Sequence, residues 1–182
     1  KPGVAERLRA FVAGGGTLVA TYWSGIVDET DLCFLGGWPG NGLREVFGVW
    51  DEEIDTLAPG ETNQVLAVPG NELGLKDSFE AQDYFALIHA EGARVLATFG
   101  TDFYAGRPAL TVNDFGKGQS YYIASRNSEA FTDAFLGSLA RKLGLRLALP
   151  VELPAGVTAQ VREDSQARFV FVMNFNPEAA IV

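Results

Sequence analysis

Ser24 directly follows a predicted strand (TLVATYW), the position that a nucleophilic serine takes in α/β hydrolases. Such a nucleophile needs the flanking glycines of G-x-S-x-G, but those two positions hold Tyr22 and Ile26. It also needs a histidine base, and the single histidine, His89, falls within a predicted helix over residues 79–90. The pattern therefore disfavours serine hydrolysis.

Cys33 is the single cysteine of the 182 residues, so no intrachain disulfide can form, and a reducing, cytoplasmic location is predicted. A catalytic thiolate needs a cationic neighbour, but Asp28, Glu29 and Asp31 come just before it. With one histidine and one cysteine, no zinc-type ligand spacing exists. We predict no metal ligands and no catalytic thiol.

The triple glycine at 14–16 resembles a phosphate-binding loop only superficially. A phosphate loop lies between a strand and the start of a helix, whereas this run follows a predicted helix and precedes a strand. We interpret it as a helix stop, and we predict no cofactor.

Negative charge is concentrated between Ile26 and Asn63, where nine Asp and Glu stand against Arg44, a net −8 of the chain's −9. This balance disfavours nucleic acid and anionic membranes as partners. The acidic run at 28–31 lacks the alternation and central glycine of a calcium loop. Glu52 and Glu53 point to opposite faces of a predicted strand, so they cannot work as a glycosidase pair.

Aromatic residues share this acidic span. Phe34, Trp38 and Trp50 lie inside it, and Trp23 lies just before it. Two interpretations stay open: the rings stack on a sugar while carboxylates accept its hydroxyl hydrogens, or the span is a subunit interface, where Trp and Tyr are enriched. Composition alone does not separate them.

The elements that position these residues follow from hydrophobic periodicity. Helices are predicted over 4–13, 43–47, 79–90 and 128–143. Strands are predicted over 17–23, 49–57, 64–68, 94–99, 109–115 and 119–125, the last two forming a hairpin. The nearly all-apolar runs at 17–23 and 94–99 are typical of central strands covered on both faces, so we expect an α/β fold with a mostly parallel sheet.

After Gly144 the pattern changes to a linker with Pro150 and Pro154, followed by strands over 157–163 and 168–175 and the start of a third at 179–182. In a parallel sheet, a helix is normally preceded by a strand, and no strand precedes the helix predicted at 4–13. At the other end, two strands and part of a third are too few to form a β-sandwich. We therefore expect a segment of a longer polypeptide, with 1–148 forming most of one domain, its first strand missing, and 149–182 the start of another.

Three segments carry a family resemblance. The run GGTLVATYWSGIVDETDLCFLGGWPGNGLREVFGVWDEEID (15–55) resembles the middle domain of family 42 glycoside hydrolases, the bacterial β-galactosidases. The runs DFYAGRPALTVNDFGKGQSYYIAS (102–125) and VFVMNFNPEAAIV (170–182) agree with it. The resemblance covers essentially the whole chain.

The resemblance implies a three-part parent: a catalytic (β/α)₈ barrel, this trimerisation domain, and a small C-terminal β domain. It implies a three-layer, glutamine-amidotransferase-like (flavodoxin-like) sandwich followed by part of a small antiparallel β domain. Amidotransferase activity is expected to be absent, because Ser24 stands at the elbow where that activity needs Cys.

In such parents, two barrel glutamates hydrolyse terminal β-D-galactosides with retention. Neither barrel glutamate is in this sequence, so the segment is expected to assemble a homotrimer without catalysis of its own. The galactoside would bind the parent barrel. In and just before the acidic span, the residues expected at a subunit interface or a neighbour's active-site rim are Trp23, Asp28, Asp31, Phe34 and Trp38.

Overall fold

The computed structural model describes residues 3–76 and 78–181. Contacts between Cα atoms group the chain into two units, Lys1–Leu139 and Ala140–Val182. No helix in the described ranges is long and apolar enough to cross a membrane.

The first unit is sheet-dominated. Its helices are α1 (Val4–Ala13), α2 (Leu43–Phe47) and most of α3 (Glu129–Lys142), which runs on into the second unit. Its strands are β1 (Thr17–Thr21), β2 (Val49–Thr56), β3 (Asn63–Ala67), β4 (Ser78–Ala90), β5 (Arg94–Phe99), β6 (Pro108–Phe115), β7 (Gly118–Ile123) and β8 (Ser125–Asn127). The predicted α1 and β5 are confirmed at both ends, and the hairpin of β6 and β7 is confirmed around its Gly-Lys-Gly turn.

The sheet order is β1-β7-β6-β5-β3-β4-β2, and β8 also pairs with β4. β1 and β7 are parallel, whereas the other described pairs of this sheet are antiparallel. A mixed α/β fold is therefore confirmed, but the expectation of a mostly parallel sheet is wrong. The connections from β5 to β6 and from β6 to β7 are too short for helical crossovers, so these neighbouring strands must reverse direction.

The strand pairing closes on itself. Ala124 alone separates β7 from β8, and β8 pairs with β4. The path from β7 through β6, β5, β3 and β4 thus returns to the continuation of β7. β1 lies outside this ring at an edge of the sheet, with Val19 36% exposed, so the expectation of a central strand covered on both faces is wrong.

The helix predicted over 79–90 is strand β4, which pairs with β3 and then β2 along one side and with β8 along the other. Four consecutive residues, Phe85 to Ile88, are fully buried. A continuous apolar run fits a buried strand as well as a buried helix, and only the neighbours decide between them.

The helices cover both faces of β7. Tyr121 packs edge-on against Phe135 of α3, with ring centroids 5.8 Å apart, and Tyr122 packs against Phe47 of α2 at 5.5 Å. Because successive strand residues point to opposite faces, α2 and α3 lie on opposite sides of the sheet. The largest fully buried side chains of the core include Tyr104, Tyr121, Tyr122, Phe47, Phe85 and Phe99.

The second unit contains the antiparallel pair β9 (Val157–Glu163) and β10 (Arg168–Asn174). Both strands are confirmed, β10 ending one residue early. Residues 179–181 form no strand, contrary to the prediction of a third, and Val182 lies outside the described residues. Phe169 and Phe171 of β10 are more than half exposed.

Candidate functional site

The connection from β1 to α2 contains a compact loop, residues 26–40, hereafter the lobe. Its base is tied by hydrogen bonds from Phe34 N to Ile26 O at 3.0 Å and from Gly40 N to Gly25 O at 2.8 Å. Nearer the tip, Val27 and Cys33 are antiparallel bridge partners. The lobe is therefore a short, hydrogen-bonded hairpin-like structure.

Asp28 organises the turn of the lobe. Its Oδ1 accepts hydrogen bonds from the Thr30 amide and hydroxyl, both at 2.7 Å, and from the Leu32 amide at 3.2 Å. The hydroxyl and amide of Thr30 hold the pKa of the Asp28 carboxyl below its usual range. This carboxylate is thus engaged in local structure, whereas the neighbouring Asp31, at φ +62°, is exposed.

Phe34 packs into the lobe. Its ring is half-buried and lies against Gly40, where an added Cβ would be 2.0 Å from Phe34 Cδ2. Glycine at position 40 is therefore required by the close approach of this ring. Phe34 therefore stabilises the base of the lobe, and only the exposed part of its ring can contact a partner.

Trp38 joins the lobe to the sheet. Its carbonyl oxygen accepts a 2.8 Å hydrogen bond from the Asp51 amide on β2. The indole is half-buried, and its Nε1 is buried without a hydrogen-bond partner among the described residues. Trp38 thus faces the body of the unit more than solvent.

Trp23 lies away from the lobe tip, against β4. Its indole packs on the Tyr84 ring at 4.6 Å between centroids and edge-on to Tyr22 at 5.7 Å. Its Nε1 donates to the Phe85 carbonyl at 3.4 Å. Of the five candidate rim residues, then, Asp28, Asp31 and Phe34 share the lobe, Trp38 anchors it, and Trp23 belongs to a separate aromatic cluster.

Sequence reasoning missed a network around Trp50. His89, now on strand β4, stacks on Trp50 with centroids 4.9 Å apart, and its Nε2 lies 2.7 Å from Glu52 Oε2. Arg107 donates to the same oxygen at 2.9 Å. Hydrogen bonds from His89 and Arg107 lower the pKa of Glu52. The sequence carried no local signal for this network, because the apolar run at 85–88 fits a helix as well as a strand.

Arg44 links this network to the lobe. It contacts both Glu91 carboxylate oxygens, donates to Gly36 O at 2.9 Å, and places its guanidinium 5.5 Å from the Trp50 ring centroid. A Cβ at Gly37 would lie 2.1 Å from Trp50 Nε1. The Trp50 ring is therefore occupied by protein on several sides, which argues against its use as a sugar-stacking platform.

Asp51 is a buried acid beneath the lobe, with 1% of its surface exposed. Its Oδ2 accepts a 3.4 Å hydrogen bond from the Tyr122 hydroxyl, and its Oδ1 has no partner among the described residues. Burial raises the pKa of Asp51 to about 7. The carboxyl is enclosed, so it does not face a substrate.

Two side chains remain that the sequence offered as candidate nucleophiles, Ser24 and Cys33. Ser24 Oγ donates to the Thr21 carbonyl at 2.7 Å, and Cys33 is exposed. Within residues 3–76 and 78–181, no three His, Cys, Asp or Glu side chains group as metal ligands. The described site is suited to contact with another surface and presents no assembled catalytic group.

Two family models match the sequence. The model of the β-galactosidase trimerisation domain matches residues 1–146, and that of the β-galactosidase C-terminal domain matches residues 156–182. The first of these covers the whole lobe and the Trp50 network.

The chain is similar to curated and solved β-galactosidases. It is 57% identical to β-galactosidase Pbg of Clostridium perfringens and 51% identical to BglY of Alicyclobacillus acidocaldarius, in each case over 98% of this chain and 26% of the relative. The crystal structure of the β-galactosidase from Rahnella sp. R3 superposes with a TM-score of 0.91 at 54% identity, over 96% of this chain and 26% of that one. The chain therefore spans about a quarter of the length of these relatives.

Proposed function

This chain belongs to the β-galactosidase trimerisation-domain family, and we propose that it assembles a glycoside hydrolase into a homotrimer without catalysing hydrolysis itself. The match of the trimerisation-domain model over residues 1–146 carries this proposal. It is supported by the site, where rings and carboxylates build a stiff loop and no catalytic group is assembled in the described residues.

We propose that the parent polypeptide hydrolyses terminal β-D-galactosides with retention. The relatives named above are β-galactosidases, and each is about four times as long as this chain. The two catalytic glutamates and the galactoside site are assigned to the parent's barrel, and no residue of this chain is assigned to them.

Two measurements test the proposal. The parent should sediment as a trimer, and a stable monomer at micromolar concentration would remove the assembly role. The 182-residue chain should release no product from a chromogenic β-galactoside under conditions where the parent is active. Turnover by the short chain would contradict the non-catalytic role.

We also propose that the acidic aromatic span borders a neighbouring subunit's active site, with Trp23, Asp28, Asp31, Phe34 and Trp38 as candidate contacts. The exposed Asp31 at a turn of the lobe supports this most directly. In the parent, Asp31→Asn should raise KM for a galactoside more than it changes kcat. Unchanged kinetics in a variant that remains trimeric would remove the active-site contact and leave the assembly role intact.

We retain the domain boundary predicted between residues 148 and 149. It is supported by the two family matches, which leave residues 147–155 between them. We further propose that the parent supplies a strand to the edge of β1 that pairs with no described strand, on which the apolar Val19 is 36% exposed. Backbone amides of β1 should then exchange more slowly in the parent than in this chain.

The likeness to glutamine amidotransferases is retained as a proposal about the fold. Its support is the parallel pair β1 and β7 and the helices on opposite faces of β7. Activity of that type is not proposed, because the Ser24 hydroxyl is used by the Thr21 carbonyl. A cytoplasmic location is retained from the single cysteine.

A further inference from the structure

The lobe presents apolar side chains to solvent. Leu35 is fully exposed at 101%, Leu32 is 66% exposed and Val27 is 44% exposed. Val27 is the bridge partner of the exposed Cys33, which places these two side chains side by side. Several exposed aliphatic groups on one ordered loop mark a contact surface, because covering them removes hydrocarbon from water.

The tip is held in shape before any partner arrives. Asp28 Oδ1 accepts three hydrogen bonds across the turn, and the Asp28 amide donates to the Leu32 carbonyl at 2.9 Å. Phe34 and Trp38 fix the base of the lobe from within. A preordered loop loses little conformational entropy when it binds, so its exposed side chains can contribute most of their burial energy to the contact.

The charge around the tip restricts which surface can receive it. Asp28, Glu29 and Asp31 are the charged residues of the lobe, which has no Lys or Arg. Two lobes brought face to face would set these carboxylates against each other, and like charges repel. A two-fold contact between identical lobes is thus disfavoured, and the lobe should meet a different surface. Such a heterologous contact is the kind that closes a threefold ring.

We infer that the exposed aliphatic side chains of the lobe, Val27, Leu32 and Leu35, contact an apolar, non-acidic surface on an adjacent copy of the parent protein. This inference rests on the proposed trimer and specifies the residues that anchor it. The match to the trimerisation-domain model includes the entire lobe, which favours a second copy over an unrelated partner. The rings of Trp23, Phe34 and Trp38 pack within their own subunit, so the anchor is aliphatic.

Charge-inserting variants of the parent test the inference. In Leu35→Asp and in the double variant Leu32→Asp/Leu35→Asp, a carboxylate would be placed in the apolar contact. We expect the subunit dissociation constant from sedimentation to rise about 30-fold or more, as for loss of an interface anchor. Leu35→Met, which keeps an apolar side chain, should remain trimeric.

Phe103→Asp is the matched control, because Phe103 is 71% exposed and lies outside the lobe. It should leave the dissociation constant unchanged. If the wild type and the lobe double variant are equally trimeric at the lowest measurable concentration, these aliphatic side chains are not the anchor and the inference is overturned, while the proposed trimer stands. If Phe103→Asp dissociates the protein as strongly as Leu35→Asp, the assignment to the lobe is also overturned. If the wild-type parent is itself monomeric, the proposed function fails together with the inference.

A second measurement does not depend on destabilising substitutions. A photo-cross-linking p-benzoylphenylalanine in place of Cys33 in the parent should, on irradiation, join two subunits in a denaturing gel. The peptide it reaches should be apolar and belong to a different surface from the lobe. Cross-links confined within one subunit, in a parent that sediments as a trimer, would overturn the inference even if the charged variants fail to fold.

Discussion

The backbone amide of Asp51 donates a 2.8 Å hydrogen bond to the carbonyl oxygen of Trp38, and this contact joins the lobe to strand β2. The Asp51 side chain lies buried beneath the lobe, within reach of the Tyr122 hydroxyl. An acidic group thus lies next to the contact between the lobe and strand β2. The ionisation of Asp51 should therefore affect the stability of this contact.

Stability should fall as the pH rises toward neutrality because of Asp51. Burial raises its pKa in the folded chain to about 7, whereas the unfolded value is about 4. Between these values the folded state holds a proton that the unfolded state has lost, so raising the pH favours unfolding. The free energy of unfolding should decline by about 1.4 kcal/mol per pH unit across this window, with no further loss from this group above it.

Asp51→Asn should remove this contribution to the slope. Urea denaturation followed by circular dichroism from pH 4.5 to 8 measures it, and Glu53→Gln, at an exposed carboxylate on the same strand, is the control. An identical pH profile for the wild type and Asp51→Asn would show that Asp51 is ionised in the fold throughout.

Gly40→Ala should destabilise the chain through the Phe34 ring. The new Cβ would lie 2.0 Å from Phe34 Cδ2 and 2.3 Å from Cγ, atoms close to the backbone that cannot swing away freely. We expect a loss of about 1–3 kcal/mol in the free energy of unfolding. Phe34→Ala/Gly40→Ala should lose less than the two single variants together, because removing the ring removes the clash. Additive losses would contradict this.

Aspartate should be far more damaging at position 96 than at position 19. Leu96 on β5 is 3% exposed, whereas Val19 on the edge strand β1 is 36% exposed. Leu96→Asp places an unpaired charge in the core, so it should lower the free energy of unfolding by several kcal/mol and abolish folding. Val19→Asp should lower it by about 1–2 kcal/mol. Soluble expression and circular dichroism distinguish the two. A folded Leu96→Asp variant would refute the placement of β5 in the core.

The carbonyl of Val46, near the end of α2, has two side-chain donors. Ser120 Oγ donates to it at 2.6 Å and Asn113 Nδ2 at 2.9 Å. Either Ser120→Ala or Asn113→Ala leaves the Val46 carbonyl one donor, so each substitution should lower the free energy of unfolding by only about 0.5–1 kcal/mol. The double variant leaves the buried carbonyl without a side-chain donor. Its loss in free energy of unfolding should exceed the sum of the two single losses by about 1 kcal/mol. Chemical denaturation of the four variants completes the cycle, and strict additivity would be inconsistent with a shared acceptor.

Elements whose signals are local could be predicted from the sequence. Helix α1 is amphipathic and followed by glycines, β5 is a bounded apolar run, and β6 and β7 surround a Gly-Lys-Gly turn. The family resemblance also came from residue runs that need no structure. In these segments, neighbours along the chain are enough to fix the conformation.

Only the tertiary structure decided the class of β4, the edge position of β1 and the direction in which the aromatic side chains point. Phe85 to Ile88 are apolar whether they lie in a helix or a strand, and pairing with β2 and β8, distant in sequence, selects the strand. The composition of the acidic span was visible in the sequence, but not that Trp38 and Phe34 pack inward while Leu32 and Leu35 point out. Burial is set by what lies across space from a residue, and the sequence records only what lies beside it along the chain.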